Sequence, residues 1–160
     1  MSELRIGLGV DAHAFGDGIP LVLGGVRVDH PRGLVGHSDG DVIAHALTDA
    51  ILGAAGLADI GVLFPSEDER YLGADSLELL AAAYRQVREA GFELVSADCV
   101  LIGQKPRIAG LRDEMRHRLA VALGVDLDRV NVRATTTDRL GFTGRGEGLA
   151  AEAVALVTVS

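Results

Sequence analysis

The stretch His37-Ser-Asp-Gly-Asp-Val-Ile-Ala-His45-Ala-Leu-Thr-Asp-Ala-Ile-Leu-Gly-Ala54 passes within a few residues from turn-forming to helix-forming composition. Ser38 with Asp41 three residues on has the form of a capping box, and Val42 to Ala54 supplies the helix formers. Upstream, Leu4 to Asp11 and Leu21 to Val28 read as two strands separated by a Gly-rich loop at Phe15 to Pro20. Downstream, Asp59 to Pro65 is a turn-rich connector, and a second helix runs from about Ser76, capped by Asp75 or Ser76, to a stop at Gly91. Leu94 to Ile102 alternates like a half-buried strand, and a third helix follows Pro106, from about Ile108 to Leu123 before Gly124. Val130 to Thr135 and Leu149 to Val159 are the last strands, joined by Thr136 to Gly148. The final strand is apolar on both faces apart from Glu152 and Thr158, as expected of a strand covered on both sides. This order predicts an α+β fold, a mixed β-sheet with helices packed on one face.

The 160 residues form one domain, 1–160, with no repeat or linker. Hydrophobic residues at 48% and charged residues at 24% give a globular balance. The apolar content is mostly small and aliphatic, with aromatics at 4%, so such a chain gains by covering more surface in an oligomer. A net charge of −8 counts against nucleic acid as a partner. An anionic substrate would need positive charge concentrated locally or borrowed from metals. One cysteine, Cys99, excludes an internal disulfide and a thiolate zinc cage. The first residues, Met1-Ser-Glu-Leu-Arg, resemble neither a signal nor a transit peptide, and no apolar run has the length of a membrane span. The expected location is cytoplasmic.

Asp11 and His13 stand at i and i+2 at a strand end, so both point to one face. With His45, on the first turns of the following helix, they offer three ligands for a divalent metal and leave room for substrate or water. The competing reading is chance, since Asp-x-His is short and a helical His is commonly packed or at the surface. His37-Ser-Asp-Gly-Asp suits either bonds that orient those ligands or a phosphate at the helix N-terminus, and Asp41 is assigned to the cap alone. His30 and His117 receive no role. In Thr135-Thr-Thr-Asp-Arg-Leu-Gly-Phe-Thr-Gly-Arg-Gly-Glu-Gly148, consecutive hydroxyls and Asp138 suit phosphate oxygens and a bridging Mg²⁺. The glycines suit anion nests and Arg145 adds fixed charge, unless the segment is simply a long hairpin loop.

Together, Asp11-Ala-His13, His37-Ser-Asp-Gly-Asp-Val-Ile-Ala-His45, Asp59-Ile-Gly61, Phe64-Pro65 and Ala134 to Gly148 resemble the 2-C-methyl-D-erythritol 2,4-cyclodiphosphate synthases, lyases of non-mevalonate isoprenoid synthesis. The resemblance runs from about Arg5 to Val157. It implies a homotrimer with active sites between subunits. The substrate would be 4-diphosphocytidyl-2-C-methyl-D-erythritol 2-phosphate, cyclised with release of CMP. By the same resemblance Asp11, His13 and His45 hold Zn²⁺, and Asp138 serves a second divalent cation, Mg²⁺ or Mn²⁺. His37 and Ser38 meet the methylerythritol phosphate, with Asp11 and His13 beside it. Asp59, Ile60, Gly61 and Phe64 bind the erythritol part. Gly103, Gln104, Lys105, Pro106, Arg107 and Ile108 hold the cytidine from the neighbouring subunit. Thr135, Thr136, Thr137 and Asp138 address the diphosphate, with His37 and Thr136 as the catalytic pair. Phe142 and Arg145 line the trimer axis, a proposed site for an isoprenoid diphosphate in this family.

The sequence departs from that pattern in four places. Asp138 stands where Glu is usual, Arg107 where Lys is usual and Ala58 where Gly is common, and the Ser66-Glu-Asp segment differs. Two other readings use the same residues. A phosphohydrolase would activate water at the open metal position. A non-catalytic trimeric module would hold a structural metal, though that prefers four protein ligands.

Overall fold

The computed structural model describes residues 3–65 and 67–160. Met1 and Ser2 of the expected leaderless start, and Ser66 of the divergent 66–68 segment, lie outside them. Five strands form a mixed sheet in the order β4-β1-β7-β5-β6. These are β1 (Leu4–Asp17), β4 (Arg32–Leu34), β5 (Phe92–Ile102), β6 (Val130–Thr135) and β7 (Gly148–Val159). The neighbours pair antiparallel except β5 and β6, which are parallel and joined through α4 (Arg112–Leu123). Parallel neighbours require such a crossover. Helices α1 (Val42–Ala54), α3 (Ser76–Glu89) and α4 bury one face of the sheet, as expected of this α+β fold.

The seat of α1 is set by β1. Alternation along β1 turns Gly7, Gly9, Asp11 and His13 to the helix side. A Cβ at Gly7 would lie 2.0 Å from the Ala50 carbonyl oxygen, and one at Gly9 would lie 1.8 Å from that of Ala46. Glycine therefore lets the backbones of strand and helix meet. Ala46, Ala50 and Ala54, spaced four apart, form the matching stripe on α1. Because His45 precedes Ala46, the same contact carries its imidazole to Asp11.

Several expectations change. Leu21 to Val28 is not one strand but a hairpin, β2 (Leu21–Leu23) and β3 (Val26–Val28). Gly24 and Gly25, at φ 57° and 76°, make its two-residue turn, a conformation open to glycine. The residues taken as a loop from Phe15 extend β1 to Asp17, because β4 pairs with them. Asp41 is the N-cap of α1, as assigned, and accepts from the amide of Ala44 at 3.0 Å, whereas the capping box begun by Ser38 does not form. The Asp41 carboxylate also accepts from the Gly24 and Gly25 amides, so the cap ties helix to hairpin as well. Burial pushes Asp41 up to about 6, with those amides acting in the opposite direction. The 59–65 connector contains a one-turn helix, α2 (Ile60–Leu63), and the 136–148 segment another, α5 (Gly141–Gly144). Helix α4 begins at Arg112, four residues later than read.

The final strand is covered on one face only. Leu149, Ala151, Ala153, Ala155 and Val157 are buried under the helices, whereas Val154 is exposed on the other side. There it joins Leu4, Ile6, Leu8 and Val10 of β1, of which Ile6 is 72% exposed. No helix among the described residues is long and apolar enough to cross a membrane.

Candidate metal centre and its cavity

Asp11 Oδ2 lies 2.9 Å from His13 Nε2 and 3.1 Å from His45 Nδ1. The ligand atoms of the three residues all lie within 4.8 Å of one another. His13 Nε2 is buried and, although close to the carboxylate, has no hydrogen-bond partner in good geometry among the described residues. A buried nitrogen without a hydrogen bond, beside a carboxylate and a second imidazole, is a donor set that fits a divalent cation. Burial acts to raise the Asp11 carboxyl, but the adjacent His13 and His45 outweigh it and hold it at about 2. For His45, burial acts downward and the Asp11 carboxylate reverses it, leaving the imidazole raised.

The far nitrogen of His45 is also engaged. Nε2 lies 2.7 Å from Ser76 Oγ and 3.0 Å from Ser38 Oγ. Ser76 in turn donates its hydroxyl to Asp39 Oδ1 and its amide to Asp39 Oδ2. Sequence reading found Ser76 only as a possible helix cap. Its place beside His45 depends on how α3 docks against α1, which spacing along the chain does not encode.

A cavity of about 270 Å³ opens beside the triad, lined by Asp11, His13, His37, Ser38, His45, Ile60, Gly61, Phe64, Glu67, Tyr71 and Leu79. His37 is held by its Nε2, 3.0 Å from the Asp68 carbonyl oxygen. Asp59 caps α2, accepting from Val62 N at 3.0 Å, while Asp49 accepts from Ile60 N. Tyr71, packed edge-on to Phe64, and Leu79 also line the cavity, and no motif in the sequence marked either.

The remaining predicted residues gather elsewhere. Ala12 pairs with Ala150, Ala150 with Ile102 and Ile102 with Thr135, so Thr135 lies three strands from β1. At about 4.8 Å per strand the separation is about 14 Å. Beyond Thr135, Asp138 and Arg139 adopt positive φ, 53° and 70°, and Thr136 Oγ1 lies 3.3 Å from Asp138 Oδ1. Thr137 Oγ1 donates to the Leu140 carbonyl and lies 3.0 Å from Thr143 Oγ1. The 103–108 segment docks onto this turn: Gly103 N donates to Thr135 O, and Gln104 Oε1 accepts from Arg139 N. Gln104, Lys105, Arg107, Arg139 and Arg145 share a second cavity of about 480 Å³ with Arg32. Lys105–Pro106 is a cis peptide, and Ile108 is buried in the core. Arg145 pairs with Glu147, and Phe142 on α5 is exposed. One chain thus carries two clusters, a metal-type triad with its cavity and a Thr- and Arg-bearing edge.

Residues 4–158 match the model of the YgbB family. The chain is 59% identical over 160 residues to the 2-C-methyl-D-erythritol 2,4-cyclodiphosphate synthase of Rubrobacter xylanophilus, covering 98% of this chain and 96% of that protein. It is 56% identical over 154 residues to that of Erwinia tasmaniensis, covering 96% and 98%. Among solved structures, the bifunctional IspDF of Campylobacter jejuni superposes with a TM-score of 0.96 at 47% identity; the match covers 100% of this chain and 43% of that one. A CDP complex of the Plasmodium falciparum protein superposes at 0.86 with 29% identity, covering 100% and 99%.

Proposed function

The chain belongs to the YgbB family, and we propose that it converts 4-diphosphocytidyl-2-C-methyl-D-erythritol 2-phosphate to the 2,4-cyclodiphosphate and CMP. In that reaction an oxygen of the 2-phosphate forms a bond to the β-phosphorus. The bond from that phosphorus to the bridging oxygen breaks, and CMP leaves with that oxygen. The observation that carries the reading is the convergence of Asp11, His13 and His45 beside His37 and Ser38, in a chain matched to the family over residues 4–158.

Asp11, His13 and His45 would hold Zn²⁺, and Asp138 a second divalent cation, Mg²⁺ or Mn²⁺. Such ions supply the positive charge that permits one phosphate to approach another, and fix an in-line geometry. The chain's own residues bind and orient. His37 and Ser38 meet the 2-phosphate, and Asp59, Ile60, Gly61 and Phe64 the erythritol chain. Segment 103–108 receives the cytidine, with the charges of Lys105 and Arg107 toward its phosphates. Thr135, Thr136, Thr137 and Asp138 receive the diphosphate, and His37 with Thr136 stabilises the transition state. Holding both ends of one substrate makes the attack intramolecular, which supplies most of its advantage.

The separation of the two clusters and the exposed apolar row on β1 and β7 support a homotrimer of single catalytic domains, 1–160. In it, the triad of one copy faces the Thr- and Arg-bearing edge of the next. Phe142 and Arg145 would then line the axis, where an isoprenoid diphosphate is the proposed occupant. Sedimentation equilibrium is expected to give a mass three times that of the 16.7 kDa chain. A single 16.7 kDa species at micromolar concentration would contradict both the trimer and the shared site. A cytoplasmic location belongs to the same proposal, and the buried Cys99, its thiol pushed up to about 12 by burial, is suited to staying reduced.

The reaction itself is tested with ¹⁸O-labelled water. If the substrate's 2-phosphate attacks, neither CMP nor the cyclic product carries label. Label entering in step with CMP release would mean that water had attacked, and would replace the cyclase by a hydrolase.

A further inference from the structure

His45 is gripped from two sides. Nδ1 faces Asp11 at 3.1 Å, and Nε2 faces Ser76 Oγ at 2.7 Å. Ser76 is fully buried at the first turn of α3, and both its hydroxyl and its amide donate to Asp39. Asp39 is itself fixed: its Oδ1 accepts from Asp41 N at 3.1 Å, and its own amide donates to the Ala74 carbonyl. The directions of these bonds are forced. An ionised carboxylate only accepts, so the Ser76 hydrogen points at Asp39. The Ser76 oxygen is then left to accept, and the hydrogen it accepts is that of His45 Nε2. In the neutral imidazole that a metal requires, the lone pair of His45 is therefore on Nδ1, the nitrogen that faces Asp11.

We propose that Asp39 and Ser76 are positioning residues that fix the tautomer and aim of His45, so that metal affinity is set by the docking of α3 against the turn before α1. This inference rests on the metal-centre reading. Ser38 Oγ, 3.0 Å from the same nitrogen and also approached by the Gly40 amide, is the longer of the two contacts. Partners of this kind hold metal-bound imidazoles in many proteins, and losing one commonly costs 10–100-fold in affinity.

The test measures the zinc dissociation constant by chelator competition, with the visible spectrum of the Co²⁺-substituted protein as a report of ligand geometry. Ser76→Ala is expected to weaken zinc by about 10–100-fold and to alter the Co²⁺ bands. Asp39→Asn acts through Ser76, so it should weaken zinc too. The double variant should be no weaker than the worse single one, as for members of one chain of bonds. A Ser76→Ala protein with parental zinc affinity and Co²⁺ spectrum would overturn the inference, as would fully additive losses. If Ser76→Ala does not fold, Asp39→Asn decides alone: parental affinity in it overturns the proposal. Parent protein that takes up no stoichiometric zinc would instead overturn the metal centre itself, and the inference with it.

Discussion

Replacing His45 by alanine is expected to remove nearly all bound zinc and nearly all turnover while leaving the fold and the oligomer in place. The His45 side chain lies on a helix otherwise seated by apolar residues, among them Ile43, Ala46, Leu47, Ala50 and Ile51, all fully buried. These contacts hold the fold without the imidazole, whose loss leaves Asp11 and Ser76 short of a partner and costs some stability rather than the fold. Metal binding does depend on the imidazole, because the substitution leaves Asp11 and His13 as the only neighbouring donors of the group. Loss of a direct ligand should exceed the 10–100-fold typical of losing an outer partner. Elemental analysis of the purified variant, together with its sedimentation, provides the check. Full zinc occupancy would remove His45 from the site.

A second large effect is expected at Gly9. A Cβ there would stand 1.8 Å from the Ala46 carbonyl oxygen and 2.8 Å from the Ala50 amide. Both obstacles are backbone, so no side-chain rotation relieves them, and Gly9→Ala must push α1 off the sheet. Overpacking commonly costs about 1–3 kcal/mol and a rigid obstacle more, against a total stability of about 5–15 kcal/mol. A loss of at least about 3 kcal/mol in urea unfolding is expected, with weakened zinc binding in the molecules that still fold, since His45 moves with Ala46. Gly110, whose Cβ would meet nothing within 4 Å, is the control and should tolerate alanine with little change. An unchanged urea midpoint for Gly9→Ala would show that α1 is not seated by backbone contact.

The local part of this arrangement was legible in the sequence. Helix α1 spans Val42–Ala54 as its composition indicates, and Asp11, His13 and His45 converge as strand alternation and helix position suggest. What was not legible depends on contacts distant in sequence. Gly24 and Gly25 turn an apparent strand into a hairpin, and Asp41, 17 and 16 residues away, holds that turn by accepting from both amides. The same bonds tie the Asp41 cap to that turn, and the capping box begun by Ser38 does not form, leaving Ser38 to His45. Strand β4 was invisible because three residues, Arg32–Leu34, carry too little pattern, and their pairing is supplied by β1. The 14-residue run of β1 was shortened in reading because Gly16 and Gly18 look like a loop. The outward face of β7 was read as covered, and within one chain it is bare.

Strand β7 is hydrogen-bonded along both edges, to β1 from Leu4↔Thr158 through Ala14↔Gly148 and to β5 on the other side. Such doubly paired strands open only with the whole domain, whereas one-turn helices and loops open at much smaller free energy. Asp11 and His13 are on the neighbouring β1, registered against Ala151 and Leu149 of β7, and so are tied along one edge to the part of the sheet that opens last. His37 and Ser38 lie between elements and α2 is a single turn, the kinds of segment that open at smaller free energy. The two halves of the cavity thus run on different clocks, and the loop half can part to admit or release a bound molecule many times over before the ligand-bearing strand ever lets go.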